Sequence, residues 1–466
     1  MSSFIRASKY RHVYVEPPKV DQTYKGFRLA TVTGEQQYIK ANTTFFAVAL
    51  QGGGGPFAVV KHKDVGEYKA GTPLVAGHKS AVLDLDFNPF HEHVIASASE
   101  DSTIKIWGIP ADGLTETLTE PLVDLHGHGR KVTLLRFHPT ANNVLASVSA
   151  DMAVKVWDIE KGSESASCEE HKQLIQDIVW DHEGKVWATS SKDKKLRLGD
   201  PRSKSIVGEI DQAHAGAKST KLSFLGGFDR LCSVGFTKQS QRQIKFWDVK
   251  KLGGEPVHQI QLDQASGVII PYYDVDTRVL YLAGKGDGNI RYYENIAEKP
   301  WAFALSEYRS TQAAKGTCFV PKRGLDVMRC ETARCLKLVS QAGKGSVEPL
   351  SFIVPRKSDA FQDDIFPDAF CGAPSMTADE WSAAAHQSNR RGASSLIFIA
   401  RRWAGANAAP RTAPLDPAKA GNGAAPVAKT FTKVKTAAQL QKELDEALAK
   451  IARLEKKLAD AGLSAE

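Results

Sequence analysis

The stretch from Gly127 to Asp158, GHGRKVTLLRFHPTANNVLASVSADMAVKVWD, is one unit of a repeat, and a repeat constrains a chain more than any single motif can. Three short runs rich in β-branched residues lie within it, Val132 to Phe137, Val144 to Val148 and Val154 to Trp157, separated by turn-forming His-Pro-Thr and Ala-Asp. A sheet built this way has apolar faces that it cannot cover alone. Upstream, His78, Ser97, Asp101 and Trp107 follow one another at offsets of 19, 4 and 6, and His128, Ser147, Asp151 and Trp157 repeat those offsets. A third copy reads His171, Thr189 and Asp193, with Gly199 where a Trp is expected, so this unit is expected to lack its anchoring indole. Weaker copies end at Phe246-Trp247-Asp248 and Tyr292-Tyr293-Glu294. Successive ends at 107, 157, 199, 247 and 293 are 50, 42, 48 and 46 residues apart.

Periods near 40 to 50 that close on Trp-Asp are the pattern of WD repeats, each unit one blade of a β-propeller. The recurring His, Ser and Asp could also be read as a hydrolase triad. A triad is needed once, whereas this set returns at fixed offsets in every well-formed unit. The reading adopted is structural: Asp accepts from His, His meets the Ser or Thr hydroxyl, and that hydroxyl accepts from the Trp N–H. No catalytic residue, and hence no enzyme, is expected.

At 466 residues the chain can hold one propeller of about 400 residues and an appendage. Its net charge of +8 is spread without a long basic run, which suits an acidic partner surface better than nucleic acid, for which no recognisable module is present. Six cysteines, at 168, 232, 318, 330, 335 and 371, form no C-x-x-C pair and no ligand spacing with His; reduced thiols of a cytosolic protein are expected, with no metal and no cofactor. The first residues lack the apolar core of a signal peptide, and Leu396 to Ala400 is too short to cross a bilayer. Glycine-rich Gly52 to Gly55, Gly284 to Gly288 and Gly343 to Gly345 lack the Lys-Ser or Lys-Thr of a phosphate loop and read as hairpin turns.

The predicted fold is all-β: a seven-bladed propeller of WD repeats with a packed C-terminal extension, a flexible linker and a short coiled coil. Residues 27 to 75 form the first blade, and part of residues 4 to 15 is expected to complete the last one, sparing the ring an open edge. Strands around Gly316 to Val320 and Leu336 to Val339 make the seventh. Residues 349 to 402 fit no repeat, yet Phe352, Phe361, Ile365, Phe366, Phe370 and Trp381 make them too apolar for a linker, and they are expected to pack on the propeller, closing a domain of residues 1 to 402. Residues 403 to 435, rich in Ala, Pro and Gly, read as a flexible linker. Residues 436 to 462 carry heptads, with Ala437, Leu444, Ile451 and Leu458 at a and Leu440, Ala447, Leu454 and Ala461 at d. Lys450 precedes Glu455 at the spacing of an interhelical ion pair. Self-association through this helix is the expectation; the alternative is one amphipathic helix folded on the propeller.

Several stretches together resemble the coronin family of actin-binding proteins: SKYRHVYVEPPKVDQTY (8 to 24), GHKSAVLDLDFNPF (77 to 90), SEDSTIKIWGIPADGL (99 to 114), GVIIPYYDVDTRVLYLAGKGDGNIRYYE (267 to 294), PKRGLDV (321 to 327) and VPRKSDAFQDDIFPD (354 to 368). The resemblance implies a cytoplasmic protein of the actin cytoskeleton and cell cortex that binds filamentous actin as an oligomer, bundling filaments and influencing motility. It also implies an actin-binding role for Arg28, the position matching the family's arginine. Lys192, Lys194 and Lys195, around Asp193 in an interstrand turn, are further candidates. Two more partners come with the family without residues to carry them, the nucleating complex of actin-related proteins and a phosphoinositide membrane surface. The tail motif Lys450-Ile451-Ala452-Arg453-Leu454-Glu455 has Lys where many coronins have Arg, and Lys cannot make the bidentate fork to a carboxylate. Dimer, trimer and tetramer stay open. A scaffold for other protein or phosphoinositide partners is the rival reading.

Overall fold

The computed structural model describes residues 8–30, 34, 36–341, 343–358 and 360–387. The linker of residues 403 to 435 and the heptad helix, with Leu440, Leu444, Lys450, Ile451, Leu454, Glu455 and Leu458, lie outside the described residues.

Seven sheets, antiparallel except for one short parallel pair in the last, follow one another as seven blades. Blade 3 is typical, with Val132–Phe137, Val144–Ser149, Val154–Asp158 and Ser163–Cys168 as strands a to d from the centre outward. Strand b is buried at every residue, whereas in the d strand only Ala166 and Cys168 are buried, so burial falls from the centre to the rim. Both faces of Val132–Phe137 are covered: Val132, Leu135 and Phe137 enter the core shared with blade 2, Leu134 enters the core on the other side, and Thr133 and Arg136 are half-buried.

The a strands of neighbouring blades meet around a central channel. Carboxylates of one a strand accept backbone N–H groups of the next: Leu135 N donates to Asp84 (3.0 Å), Phe137 N to Asp86 (2.8 Å) and Leu222 N to Asp177 (2.9 Å). Arg136 bridges Asp84 and Asp177 at 3.1 and 3.3 Å, and Lys40 meets Asp86 at 3.3 Å. Each charge of this belt has a partner, which is the condition for holding ions in a largely buried wall.

Closure differs in detail from the expectation. Blade 7 comprises Ala314–Phe319, Glu331–Gln341 and Lys344–Ile353, and its outer position is filled from the N-terminus by Tyr14–Glu16 and Tyr24–Phe27, both antiparallel to Lys344–Ile353. The closing strands thus lie mainly beyond residue 15. Residues 349 to 353, expected to begin the extension, belong instead to this blade.

From Val354 the chain runs as a strap over the face formed by the a–b and c–d loops. Ile365 accepts from the Tyr10 hydroxyl (3.1 Å), Phe370 packs on Phe90 (5.8 Å), and Met376 bridges Ala141 of blade 3. A helix, Ala378–Gln387, begins where Thr377 and Glu380 cap each other's backbone N–H groups, and Trp381 seats it 5.3 Å from His138 and 6.4 Å from Trp180. Gly52 to Gly55 is a turn: Gly55 has φ +57, and a Cβ there would lie 2.3 Å from the Ser80 carbonyl. All six cysteines are free, five of them buried.

Candidate interaction face and blade networks

In blade 2, His78 Nδ1 lies 2.9 Å from Asp101 Oδ2 and its Nε2 lies 2.7 Å from Ser97 Oγ, which also accepts from Trp107 Nε1 at 2.8 Å. Blade 3 repeats the geometry with His128, Asp151, Ser147 and Trp157 at 2.9, 2.7 and 2.8 Å. Donor and acceptor then follow in one direction: Nδ1–H to the carboxylate, the Ser O–H to Nε2, the indole N–H to Oγ. Burial works against the Asp101 carboxylate, but hydrogen bonds from His78, Thr103 and the Lys79 N–H outweigh it and hold its pKa well below the usual range. Ser97 and Ser147 are 0% exposed, so neither hydroxyl can meet a substrate.

Blade 4 departs in an instructive way. His171 Nε2 meets Thr189 Oγ1 at 2.8 Å, but Asp193 turns to Arg197 (2.6 Å), and His171 Nδ1 is buried with no hydrogen-bond partner. Burial, helped by the Arg197 charge, lowers the His171 pKa to about 4. The indole is not missing. Trp187 of strand b stands directly opposite Gly199 of strand c and fills the space beside it, so a Cβ on Gly199 would lie 1.9 Å from the indole. Large and small residues have exchanged strands across one cross-strand pair.

Blade 5 holds a network that the repeat template passed over. His214 Nε2 meets Ser233 Oγ at 2.8 Å, Trp247 Nε1 donates to the same oxygen at 2.8 Å, and Gln243 stands 3.1 Å from Nδ1 where Asp would be. The signal was the His to Ser offset, again 19; the Trp follows Ser by 14 residues rather than 10, across a longer hairpin.

Strand direction alternates within each blade, so the b–c turns and the d–a loops share the face opposite the strap. Arg28 follows the outer strand of blade 7 and is exposed there, its carbonyl accepting from Gln51 N (2.8 Å). Lys192, Lys194 and Lys195 occupy the b–c turn of blade 4 on this same face, three blades further round the ring. Lys192 is exposed and makes no ion pair among the described residues. Lys194 Nζ is tied to the Ala215 carbonyl (2.8 Å), and Lys195 to Glu209. Lys79, Arg130, Lys172 and Lys238, in other loops of the face, are exposed and likewise make no ion pair among the described residues. Sequence reading had not singled them out, because only the topology brings them together. With Arg28, Lys192 and the exposed Lys344 of the blade 7 b–c turn they outnumber Glu169, Glu170 and Asp211, the exposed acids of the same face among the described residues, so the face is net cationic.

The fold and these networks define a WD-repeat β-propeller. Profiles described as "WD domain, G-beta repeat" match residues 71–108 and 119–158, a "Type of WD40 repeat" matches 347–387, and a "Domain of unknown function (DUF1899)" matches 3–67. Coronin-A of Dictyostelium discoideum is 48% identical over 382 residues, 82% of this chain and 84% of that protein. Coronin-2B of Homo sapiens is 44% identical over 377 residues, 81% of this chain and 78% of that protein. The crystal structure of the WD40 domain from Toxoplasma gondii coronin matches with a TM-score of 0.75 at 34% identity, covering 80% of this chain and 95% of that one. This chain belongs to the coronin family, the actin-associated WD-repeat proteins.

Proposed function

We propose that the chain binds the sides of actin filaments through the b–c and d–a loop face and, joined into an oligomer by its C-terminal heptads, cross-links or bundles them. The exposed basic residues that make no ion pair among the described residues, Arg28, Lys79, Arg130, Lys172, Lys192, Lys238 and Lys344, all on the face opposite the strap, carry this reading. Filaments are acidic, so such a face speeds association and its grip weakens with salt. A single face binds weakly; two or more linked faces on one filament or on neighbours bind by avidity. Bundling of this kind would influence actin dynamics and motility at the cell cortex. No chemistry is assigned to the chain, since each Ser-His-Asp set is sealed within a blade.

Co-sedimentation with filaments tests the reading. Full-length protein should pellet bundles at low centrifugal force, while protein ending at Arg402 should bind single filaments weakly and lose them as salt is raised. If neither pellets with filaments at low salt, the chain is a scaffold, and the same cationic face would suit phosphoinositide or acidic protein partners. The nucleating complex of actin-related proteins would be tested with the same two proteins, through the tail that distinguishes them.

A further inference from the structure

Blades 2 to 6 each have four strands, but the sheet of blade 1 has three, Ile39–Ala41, Phe45–Ala49 and Phe57–Lys61. Its outer position is occupied at one point: Phe57 exchanges both backbone hydrogen bonds with Val75, at 2.9 and 3.0 Å. Hydrogen-bonding direction alternates along a strand, so Val59, two residues on, also turns its N–H and C=O outward. No backbone hydrogen bond closes on them among the described residues. The chain that would have formed the outer strand leaves instead for blade 7, where Gly66–Glu67 pairs in parallel with Tyr24–Lys25.

Between the abandoned edge and this detour lies a groove of about 200 Å³ whose walls include Phe27, Val59, Tyr68, Pro73 and Leu114. Phe27 and Tyr68 stack at 5.1 Å and give it a firm apolar floor. Asp64, Glu67 and Asp112 line it against Lys61 alone. The three carboxylates are exposed and make no ion pair among the described residues. The free N–H and C=O of Val59 sit between Phe57, held by Val75, and the Lys61 carbonyl, held by Asp64 N. They lie beside an apolar slot and an acidic rim, and together these specify a ligand: backbone pairing supplies the hold, and the slot and rim supply the choice.

We propose that the open edge of blade 1 is a strand-addition site for a short extended segment of a partner protein, with a β-branched or aliphatic side chain in the slot and Lys or Arg on its flank. The site is on the outer rim, apart from the cationic face, and does not depend on actin binding.

The test uses full-length protein and a fluorescent peptide, Lys-Thr-Val-Lys-Ile-Thr, followed by anisotropy. Saturable binding is expected. N-methylation of the peptide backbone, or Glu in place of both Lys, should weaken it at least tenfold. The protein variant Glu67→Lys/Asp112→Lys, altered only at exposed side chains, should reverse the preference and favour the Glu peptide. Binding that ignores N-methylation and both charge changes overturns the proposal, as does no saturable binding. Binding that appears only once Leu396 to Ala400 is replaced by Gly-Ser also overturns it, because the groove would then be held by the chain's own segment.

Discussion

The exchange of Trp187 and Gly199 predicts a compensated double substitution. In blades 2, 3 and 5 the facing pairs are Ile95 with Trp107, Leu145 with Trp157 and Leu231 with Trp247, aliphatic on strand b and indole on strand c. Blade 4 inverts them. Trp187 is 1% exposed, so Trp187→Leu leaves a cavity that costs about 3 kcal/mol. Gly199→Trp drives a second indole into space already filled 1.9 Å from its Cβ, and costs about 3 kcal/mol or more. Trp187→Leu/Gly199→Trp restores the arrangement of the other blades and places the indole N–H to donate to Thr189 Oγ1. The double variant should therefore lie within about 1 kcal/mol of the parent, with an interaction energy of at least about 3 kcal/mol between the two sites. Urea unfolding of the four proteins, followed by circular dichroism, measures it. A double variant that loses the sum of both single losses refutes the idea that one volume is shared between the strands.

Acid should unfold the propeller earlier than its carboxylates alone would require. Burial lowers His138 and His171 to about 4 and His214 to about 3, from 6.5, so below pH 6.5 these three sites alone take up as many as three more protons in the unfolded chain than in the folded one. Stability is then full above about pH 6.5 and falls as pH is lowered, at about 3 to 4 kcal/mol per unit near pH 5; a urea midpoint unchanged between pH 7 and 5 would contradict this. Trp381→Ala removes the ring packed on His138 and Trp180, and should cost the strap's docking about 3 kcal/mol. Hydrogen exchange should show lost protection at Ala378 to Gln387 with the blades unchanged, whereas loss spread evenly over the blades would rule out a local anchor. Arg28→Glu and Lys192→Glu should each weaken filament binding about fivefold at low salt and less at high salt; Lys195→Glu should do so less, its ammonium being held by Glu209.

Blades 2 and 3 were legible because all four network residues keep their offsets. Blade 5 was legible only as a weaker copy ending at Trp247; its network was not, since Gln243 replaces Asp and the longer hairpin delays Trp247. Trp187 escaped notice because a pattern written for strand c cannot see an indole supplied by strand b. Pro349 lies within the strand Lys344–Ile353 and pairs with Leu336, although a proline inside a run argues against a paired strand, so the end of this strand read as the start of the extension. The outer strands of blade 7 come from the other end of the chain, and no local pattern links Tyr24 to Val347, its partner. The cationic face was invisible for the same reason: Arg28 and Lys192 share it through strand direction, not through sequence proximity.

In a reconstruction of actin filaments decorated with the full-length protein, the b–c and d–a loops, with Arg28 and Lys192, should face the filament while the strap from Val354 to Gln387 faces away. Filament density against the strap and the a–b loops would contradict this.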